Sequence, residues 1–473
     1  MSTTLTPPAA TTSWHLVHDG LHPVPDDLDV LPRGLVSLIR QEMHGDRDIR
    51  TPTRVAQLLA RFGFEWEPTA EPGHMRFVPP AMSVLDGATR YAEAVARRAA
   101  ERAGIPFDHV GGVTVVDHCD PRLSGYRTLL EAAPAAYGST PYLVRPGDGS
   151  DTVDGLRLRQ TGCLQKFSIA ADWDLPATAA PRCLWELSDS YRREPEDTLE
   201  LGWRPRRFRL PEGHWHAAKV PEAVDLASIA HESVLDVARQ LDAEVVLLLA
   251  CTAEFAAAHH EFLDKLAVGT DGPALLRVTP PGTLCEDGVE LDAEYKILDA
   301  AGQARELGTF QIDHRITAAF GLTAPQNPSA TIHAVLTGSV ERSVSAAFDQ
   351  AARAEAAGTP AALPLWACPT WVRLIWAPEH PPPPTEVATL SETLSSNGVP
   401  TDIDDRPAPL RHKQALAHTD LVAYTIDLTT PANQVVAESA ATPDTVRVDQ
   451  LVATLRARAA DIGGLPQRTT ARR

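Results

Sequence analysis

The chain has 473 residues, enough for two or three domains, and an apolar share of 44% with 6% aromatics, as in soluble globular proteins. Its 62 Asp and Glu outweigh 43 Lys and Arg, and the net charge of −19 excludes a broad electrostatic attraction to nucleic acid or anionic membrane. The six cysteines (Cys119, Cys163, Cys183, Cys251, Cys285 and Cys368) are scattered, with no C-x-x-C pair, no apolar signal-peptide run at the start and no window apolar enough to span a membrane. A reduced cytoplasm without a disulfide framework is the expectation.

Residues 1–13 are rich in Thr, Pro and Ala and are expected to be loose. Helical periodicity runs from Leu35 to Phe64. A strongly amphipathic helix with a basic outer face is predicted over 85–103, then a break at Gly104 and a strand over 111–117. Residues 141–170 alternate and predict a hairpin turning at Gly147-Asp148-Gly149-Ser150, with Cys163 just past its second strand. From Tyr191 to His216 the pattern predicts two strands joined by a polar loop, whose acidic part, Glu196 to Leu201, is read as excluded from the core. A long helix over 223–243 and a buried strand over 245–251 follow. His259, His260 and Glu261 lie in a helical stretch, where neighbours face different sides, so they read as surface residues rather than metal ligands. Two strands are predicted within 288–321, and a strand, turn and helix over 330–348. Residues 353–364 read as a linker. The last hundred residues alternate strand and helix, which predicts a small α/β domain with a mostly parallel sheet, interrupted by a proline run at 381–384 and loose after Asp461.

The hairpin carries the chemistry. Arg192 and Glu194 on one side of the loop, with Arg204, Arg206 and Phe208 on the other, place guanidinium, carboxylate and aromatic face around one small volume. That set suits a nucleotide, since Arg pairs with phosphate and Phe stacks on a base. A solvated surface hairpin fits the same residues.

Arg192-Arg193-Glu194-Pro195 followed by Arg204-x-Arg206-x-Phe208 resembles motif 2 of the class II aminoacyl-tRNA synthetases, in the threonyl form. Other segments resemble the same family. EPGHMRFVPPAM at 71–82 is similar to its entry into the catalytic core, and the helix and strand over 85–117 to its dimerisation motif 1, without the family's proline on the strand. Gly308-Thr309-Phe310-Gln311-Ile312-Asp313 resembles the family's Gly-Thr-x-Gln-Leu-Asp, Gly338 to Arg342 its motif 3, and residues 364–372 its passage into the anticodon-binding domain. The resemblance runs over about residues 50 to 465.

The resemblance implies an α/β (α+β) fold, a class II synthetase antiparallel sheet flanked by helices, plus a small C-terminal α/β anticodon-binding-like domain. It implies residues 1–50 as a partly disordered extension, 51–364 as the catalytic domain and 365–473 as the anticodon-binding-like domain, with no room for the N-terminal editing region of bacterial threonyl enzymes. It implies an ATP site of Arg192, Glu194, Arg204, Phe208, Glu306, Thr309 and Arg342, with magnesium accompanying ATP and with Arg192 and Arg342 catalytic. It implies a zinc ion on Cys163, His214 and His333, with His216 a rival two positions along the strand, and substrate contacts from Thr161, Glu212 and Gln311. The activity implied is a threonine--tRNA ligase, a homodimer acting in the cytoplasm on tRNA.

Departures cluster on the amino-acid side. Thr161 stands where the family has Met, Leu164-Gln165-Lys166 where it has Pro-Gly-His, and Leu210 and Glu212 where it has Gln and Asp. Glu306 and Leu307 replace Gln and Cys, and Val289 and Asp292 replace Tyr and Lys. From Pro369 onward there are ten Arg or Lys against twelve Asp or Glu, little for phosphate neutralisation. Two other functions therefore stand beside the ligase: a paralogue that loads a non-tRNA acceptor, and a synthetase-derived binding protein without catalysis.

Overall fold

The computed structural model describes residues 12–46, 51–125, 140–145, 155–173, 181–279, 289–322, 330–429, 434–437, 448–463 and 470–472. Ten strands make one sheet: β1 (Ser13–Val17), β2 (Leu21–Pro23), β3 (Phe107–His109), β4 (Arg182–Tyr191), β5 (Arg207–Ala217), β6 (Val245–Thr252), β7 (Ala274–Thr279), β8 (Val289–Leu298), β9 (Ala304–Asp313) and β10 (Ala330–Val335). Their order is β2-β1-β7-β6-β8-β9-β10-β5-β4-β3. Neighbours run antiparallel, except β6 with β7 and β3 with β4.

The strands differ as their sequences require. All eight residues of β6 are buried, so its unbroken apolar run is covered on both faces. In β5, β8, β9 and β10 residues alternate, and a strand's alternate side chains share a face. One face carries Phe208, Leu210, Glu212 and His214, then His333, Thr309, Gln311, Asp292 and Glu294; the other carries Trp215, Ile332, Phe310 and Tyr295. A helix over Val220–Gln240 packs on β9, β10 and β5. It meets the apolar face, where His231 Nδ1 lies 2.7 Å from Tyr295 Oη.

Residues 13–44, within the stretch 1–50 expected as a partly disordered extension, join this sheet. Strands β1 and β2 extend it, and α1 (Arg33–His44) lays Leu35, Leu38 and Ile39 on Leu16, Val246, Leu248 and Leu275. Residues 1–11 lie outside the described residues.

The described chain divides into two units, 1–52, 65–76 and 95–343 in the first, and 53–64, 77–94 and 344–473 in the second. The ten-stranded sheet belongs to the first. The second holds a five-stranded sheet of β11 (Val372–Ile375), β12 (Thr401–Ile403), β13 (Tyr424–Asp427), β14 (Gln434–Ala437) and β15 (Thr470–Arg472), in the order β14-β13-β11-β12-β15. Only β13 with β14 is antiparallel. The expected α/β alternation is present. Arg373 on β11 is fully buried, with both its Nε and Nη2 donating at 2.7 Å to Asp402 and Nη1 at 2.8 Å to Asp420. The proline run does not interrupt this unit: Pro384 is the first residue of a helix over Pro384–Ser396, where its missing N–H costs nothing.

Several local expectations are corrected. The strand expected at 111–117 spans only Val115–Asp117, paired with Leu156–Leu158. The turn Gly147–Ser150 and Cys285 lie outside the described residues. Cys163 lies past the short strand Leu156–Leu158, as the first residue of a helix that alternation did not predict, α2 (Cys163–Asp172), whose Leu164 and Phe167 are buried against Val116, Leu123 and Ile316. The linker expected over 353–364 starts late, because α3 (Val340–Ala356) continues to Ala356. None of the five described cysteines is bridged.

A candidate active site on one face of the sheet

The polar face of β5, β8, β9 and β10 forms the floor of a cleft of about 190 Å³, walled by the loop between β4 and β5 and by the start of α3. Among its lining residues are Thr161, Cys163, Arg192, Glu194, Arg204, Phe208, Glu212, Glu306, Thr309, Gln311, His333 and Arg342. The residues singled out from the sequence as ligand contacts therefore border one volume, apart from His214 and its rival His216, which are buried and do not line it.

At one end the arginines gather. Strand β4 stops at Tyr191, so Arg192, Glu194 and Arg204 stand in the loop and not on strands; only Phe208 does. The Arg192 guanidinium lies 5.2 Å from the centre of the Phe208 ring, and its Nε donates to Gln160 O at 3.3 Å. Glu194 accepts from Arg204 Nε at 2.8 Å. Arg206, buried, instead holds the main-chain oxygen of Glu194 at 2.9 and 2.7 Å and pairs with Glu71 at 2.9 Å, so it braces the loop. The acidic stretch before it is not all surface: Glu200 is 4% exposed and pairs with Arg305 at 2.7 Å.

Arg342 pairs with Glu306 at 2.8 Å and donates from Nε to Trp203 O at 3.1 Å. Burial opposes the charge of Glu306, yet Arg342, Lys296 and Arg192 hold its carboxyl below the usual range. Gly338 makes the turn that delivers Arg342. Its φ is +76°, and a Cβ there would stand 2.2 Å from Leu307 O, so no side chain fits. On the floor, Thr309 donates to Ala293 O at 3.0 Å and Gln311 Nε2 to Asp292 Oδ2 at 3.1 Å.

At the other end Cys163, Glu212, His214 and His333 are all buried, and one potential ligand atom from each lies within 4.8 Å of the rest. Three remote stretches of sequence supply them. His214 on β5 and His333 on β10 are directly opposite in register, which brings their rings to 4.5 Å. Cys163 arrives on the first turn of α2, with Sγ 3.0 Å from Thr161 Oγ1, 3.4 Å from Glu212 Oε1 and 3.5 Å from His333 Nδ1. Neither ring nitrogen of His214 has a hydrogen-bond partner among the described residues, although the ring is fully buried. A buried imidazole without partners is costly unless something else satisfies it. The far nitrogen of His333, Nε2, lies 3.8 Å from Asp313 Oδ2, and a carboxylate behind a histidine is the usual way to orient a metal ligand. His216 is held apart from the cluster, with Nδ1 at 2.9 Å from Thr331 Oγ1.

Charge in this end is tightly distributed. Burial, and then Lys166, push His214 far below its ordinary range. Burial and neighbouring His333 bring His216 down to about 4. Burial alone would lower His333, but Cys163 and Asp313 raise it to about 10, while burial and then Glu212 push the Cys163 thiol up. Burial opposes the charge of Glu212, and Lys166, His333 and the Cys163 thiol together outweigh it and hold the carboxyl down.

Sequence reasoning missed the residues behind this end. Lys166 is fully buried and donates to Glu212 Oε2 at 2.7 Å, with Glu186 3.9 Å away. Glu186 in turn takes Arg159 Nη1 at 2.8 Å and the Gly112 amide at 2.9 Å. Lys166 was visible as a departure from the family pattern. Nothing in the spacing marked Arg159 or Glu186. Glu212 stands two positions before His214 on one strand, and that period placed it on the same face.

No protein-family model matches the chain. It is 29% identical over 402 residues to a Thermofilum pendens protein named threonine--tRNA ligase, across 84% of this chain and 62% of that one. It is 33% identical over 378 residues to one of the same name from Pyrobaculum calidifontis, across 78% and 58% respectively. The chain thus spans 62% and 58% of the length of these curated relatives. Among solved structures, a crystal structure titled as the RNA binding domain of threonyl-tRNA synthetase from Cryptosporidium parvum is similar at a TM-score of 0.64 and 16% identity, covering 89% of this chain and 99% of that one. Prolyl-tRNA synthetase from the same organism, complexed with halofuginone and AMPPNP, is similar at 0.60 and 14%, covering 86% and 75%. At those identities the structural likeness establishes the fold.

Proposed function

Because the chain is threonyl-tRNA-synthetase-like, with the class II synthetase fold, we propose that it is an ATP-dependent ligase. It activates threonine, or a related β-hydroxy amino acid, and passes it to tRNA. The observation that carries this reading is the convergence of Arg192, Phe208, Arg342 and the Cys163–His214–His333 cluster on one cleft and its floor.

The amino-acid carboxylate attacks the α-phosphorus of ATP and pyrophosphate leaves. A ribose hydroxyl of tRNA then attacks the adenylate carbonyl, and AMP leaves. Phe208 stacks on the adenine, and Glu194 accepts from its amino group after releasing Arg204. Arg192 neutralises charge growing at the α-phosphate, and Arg342 holds the γ-phosphate after releasing Glu306. Arg204, Glu306 and Thr309 complete the nucleotide site, with magnesium accompanying ATP. This is catalysis by positioning and fixed charge, with no protein acid or base required. A zinc ion on Cys163, His214 and His333 supplies, when bound, a coordination site for the substrate hydroxyl, which separates threonine from isosteric valine where an apolar pocket does so poorly. Thr161, Glu212 and Gln311 border that substrate.

Residues 51–364 form the catalytic domain of this reading and 365–473 the tRNA-facing one, in a cytoplasmic homodimer. The relatives reported bear the name of tRNA ligases, and neither a non-tRNA acceptor nor a purely binding role draws support from them. ATP–pyrophosphate exchange over a panel of amino acids, with metal content on the same sample, tests the reading. Exchange with threonine is expected. Its absence with every amino acid, in folded and metal-loaded protein, overturns it.

A further inference from the structure

The cluster at the buried end of the cleft has four members, not three. Metal–sulfur distances of about 2.3 Å and metal–nitrogen or –oxygen distances of about 2.0 Å at a tetrahedral angle give edges of about 3.5 Å from sulfur to its co-ligands. Cys163 Sγ stands 3.4 Å from Glu212 Oε1 and 3.5 Å from His333 Nδ1. Glu212 therefore meets the thiol at the same edge length as a histidine does.

The carboxylate is also held as a ligand would be. Lys166 Nζ takes Oε2 at 2.7 Å, which leaves Oε1 turned to the cluster. Charges inside this buried region fit a dication. Arg159 with Glu186, and Lys166 with Glu212, cancel in pairs. The Cys163 thiolate and Asp313, behind His333, remain to balance two positive charges. The two nitrogens of fully buried His214, without partners among the described residues, are the independent sign that something other than protein belongs there.

We propose that Glu212 is the fourth protein ligand of the metal, with Lys166 as the positioning residue that presents its Oε1. This rests on reading the cluster as a metal site. In the resting protein the metal then has no open position. A substrate hydroxyl or amine reaches it by displacing Glu212 Oε1, while Oε2 stays on Lys166. A longer acid at this position closes the site, and the neighbouring lysine stores the carboxylate when it opens.

The test uses the full chain loaded with cobalt(II), whose visible spectrum reports coordination, and azide as the probe for an open position. The parent should bind one cobalt per chain and keep its spectrum on azide addition. E212Q should bind cobalt at least about tenfold more weakly in chelator competition, as loss of coordinating support does elsewhere, and its spectrum should change with azide. A parent spectrum that shifts with azide, or an E212Q affinity within threefold of the parent, overturns the fourth ligand while leaving the metal site intact. A parent that takes up no cobalt overturns the metal site itself. Should E212Q fail to fold, the azide response of the parent decides alone.

Discussion

At the arginine end of the cleft, Arg342 and Glu306 are each 30% exposed and Arg204 is 40% exposed, each paired with a neighbour. At the other end Cys163, Glu212, His214 and His333 are 9% exposed or less. Half-exposed ion pairs are weak and exchange partners cheaply, which suits side chains that must trade a carboxylate for a phosphate. Buried groups have partners fixed by the fold, and changing one leaves another unsatisfied. The contrast teaches that the two ends tolerate substitution differently. The arginines can be kept one by one. At the buried end Lys166 and Glu212 depend on each other, because Lys166 without an acid beside it would be an uncompensated buried charge.

Mutations that break one end and spare the other test this contrast. The largest effect is expected from Cys163→Ala or His333→Ala. Each should abolish stoichiometric metal uptake, read by metal analysis, while ATP affinity stays within about twofold. Loss of ATP binding alongside the metal would show the ends to be coupled. Next comes Arg192→Ala, which should slow ATP–pyrophosphate exchange about 100-fold or more, the cost of one lost transition-state donor, with metal content unchanged. An exchange rate within threefold of the parent would remove Arg192 from the chemistry.

Phe208→Ala should weaken ATP about tenfold, since a base stacked on an aromatic ring is worth about 1–3 kcal/mol; equilibrium dialysis with labelled ATP reads it. The acid limit of stability is a smaller effect away from the cleft's surface. His231, packed on Tyr295, is lowered by burial, and His216 is lowered to about 4. Both fold as neutral rings, and the unfolded chain binds their protons first. Their stabilisation is present above about pH 6.5 and is lost as pH falls toward the folded values, by at most about 1.4 kcal/mol per pH unit for each group. Melting temperatures from pH 7 to 4.5 should therefore fall, and less steeply in His231→Gln. Arg204→Ala should change stability least, by about 1 kcal/mol or less, because Arg204 is 40% exposed although its partner Glu194 is buried.

Period and residue type alone gave the fully buried β6, the strands β8, β9 and β10, the helix expected over 223–243 and found over Val220–Gln240, and the α/β unit at the end of the chain. The motif resemblance, not period, marked the candidate site residues, and Trp203, Glu294 and Val335 line the cleft without having been singled out. A Cys or His declares its chemistry before it is placed. Four matters waited for the tertiary structure. The choice between His214 and His216 could not be made from period, which puts both on one face; pairing sets His214 against His333 and His216 against Thr331. The helical state of Cys163–Asp172 followed from burial of Leu164 and Phe167, not from a local signal. Glu200 looked like surface until Arg305, over a hundred residues away, met it. Lys166 and Glu212 were two unrelated departures in the sequence and one ion pair in the fold. Local patterns determine which face a side chain takes, whereas the partner of a buried charge lies wherever the chain returns.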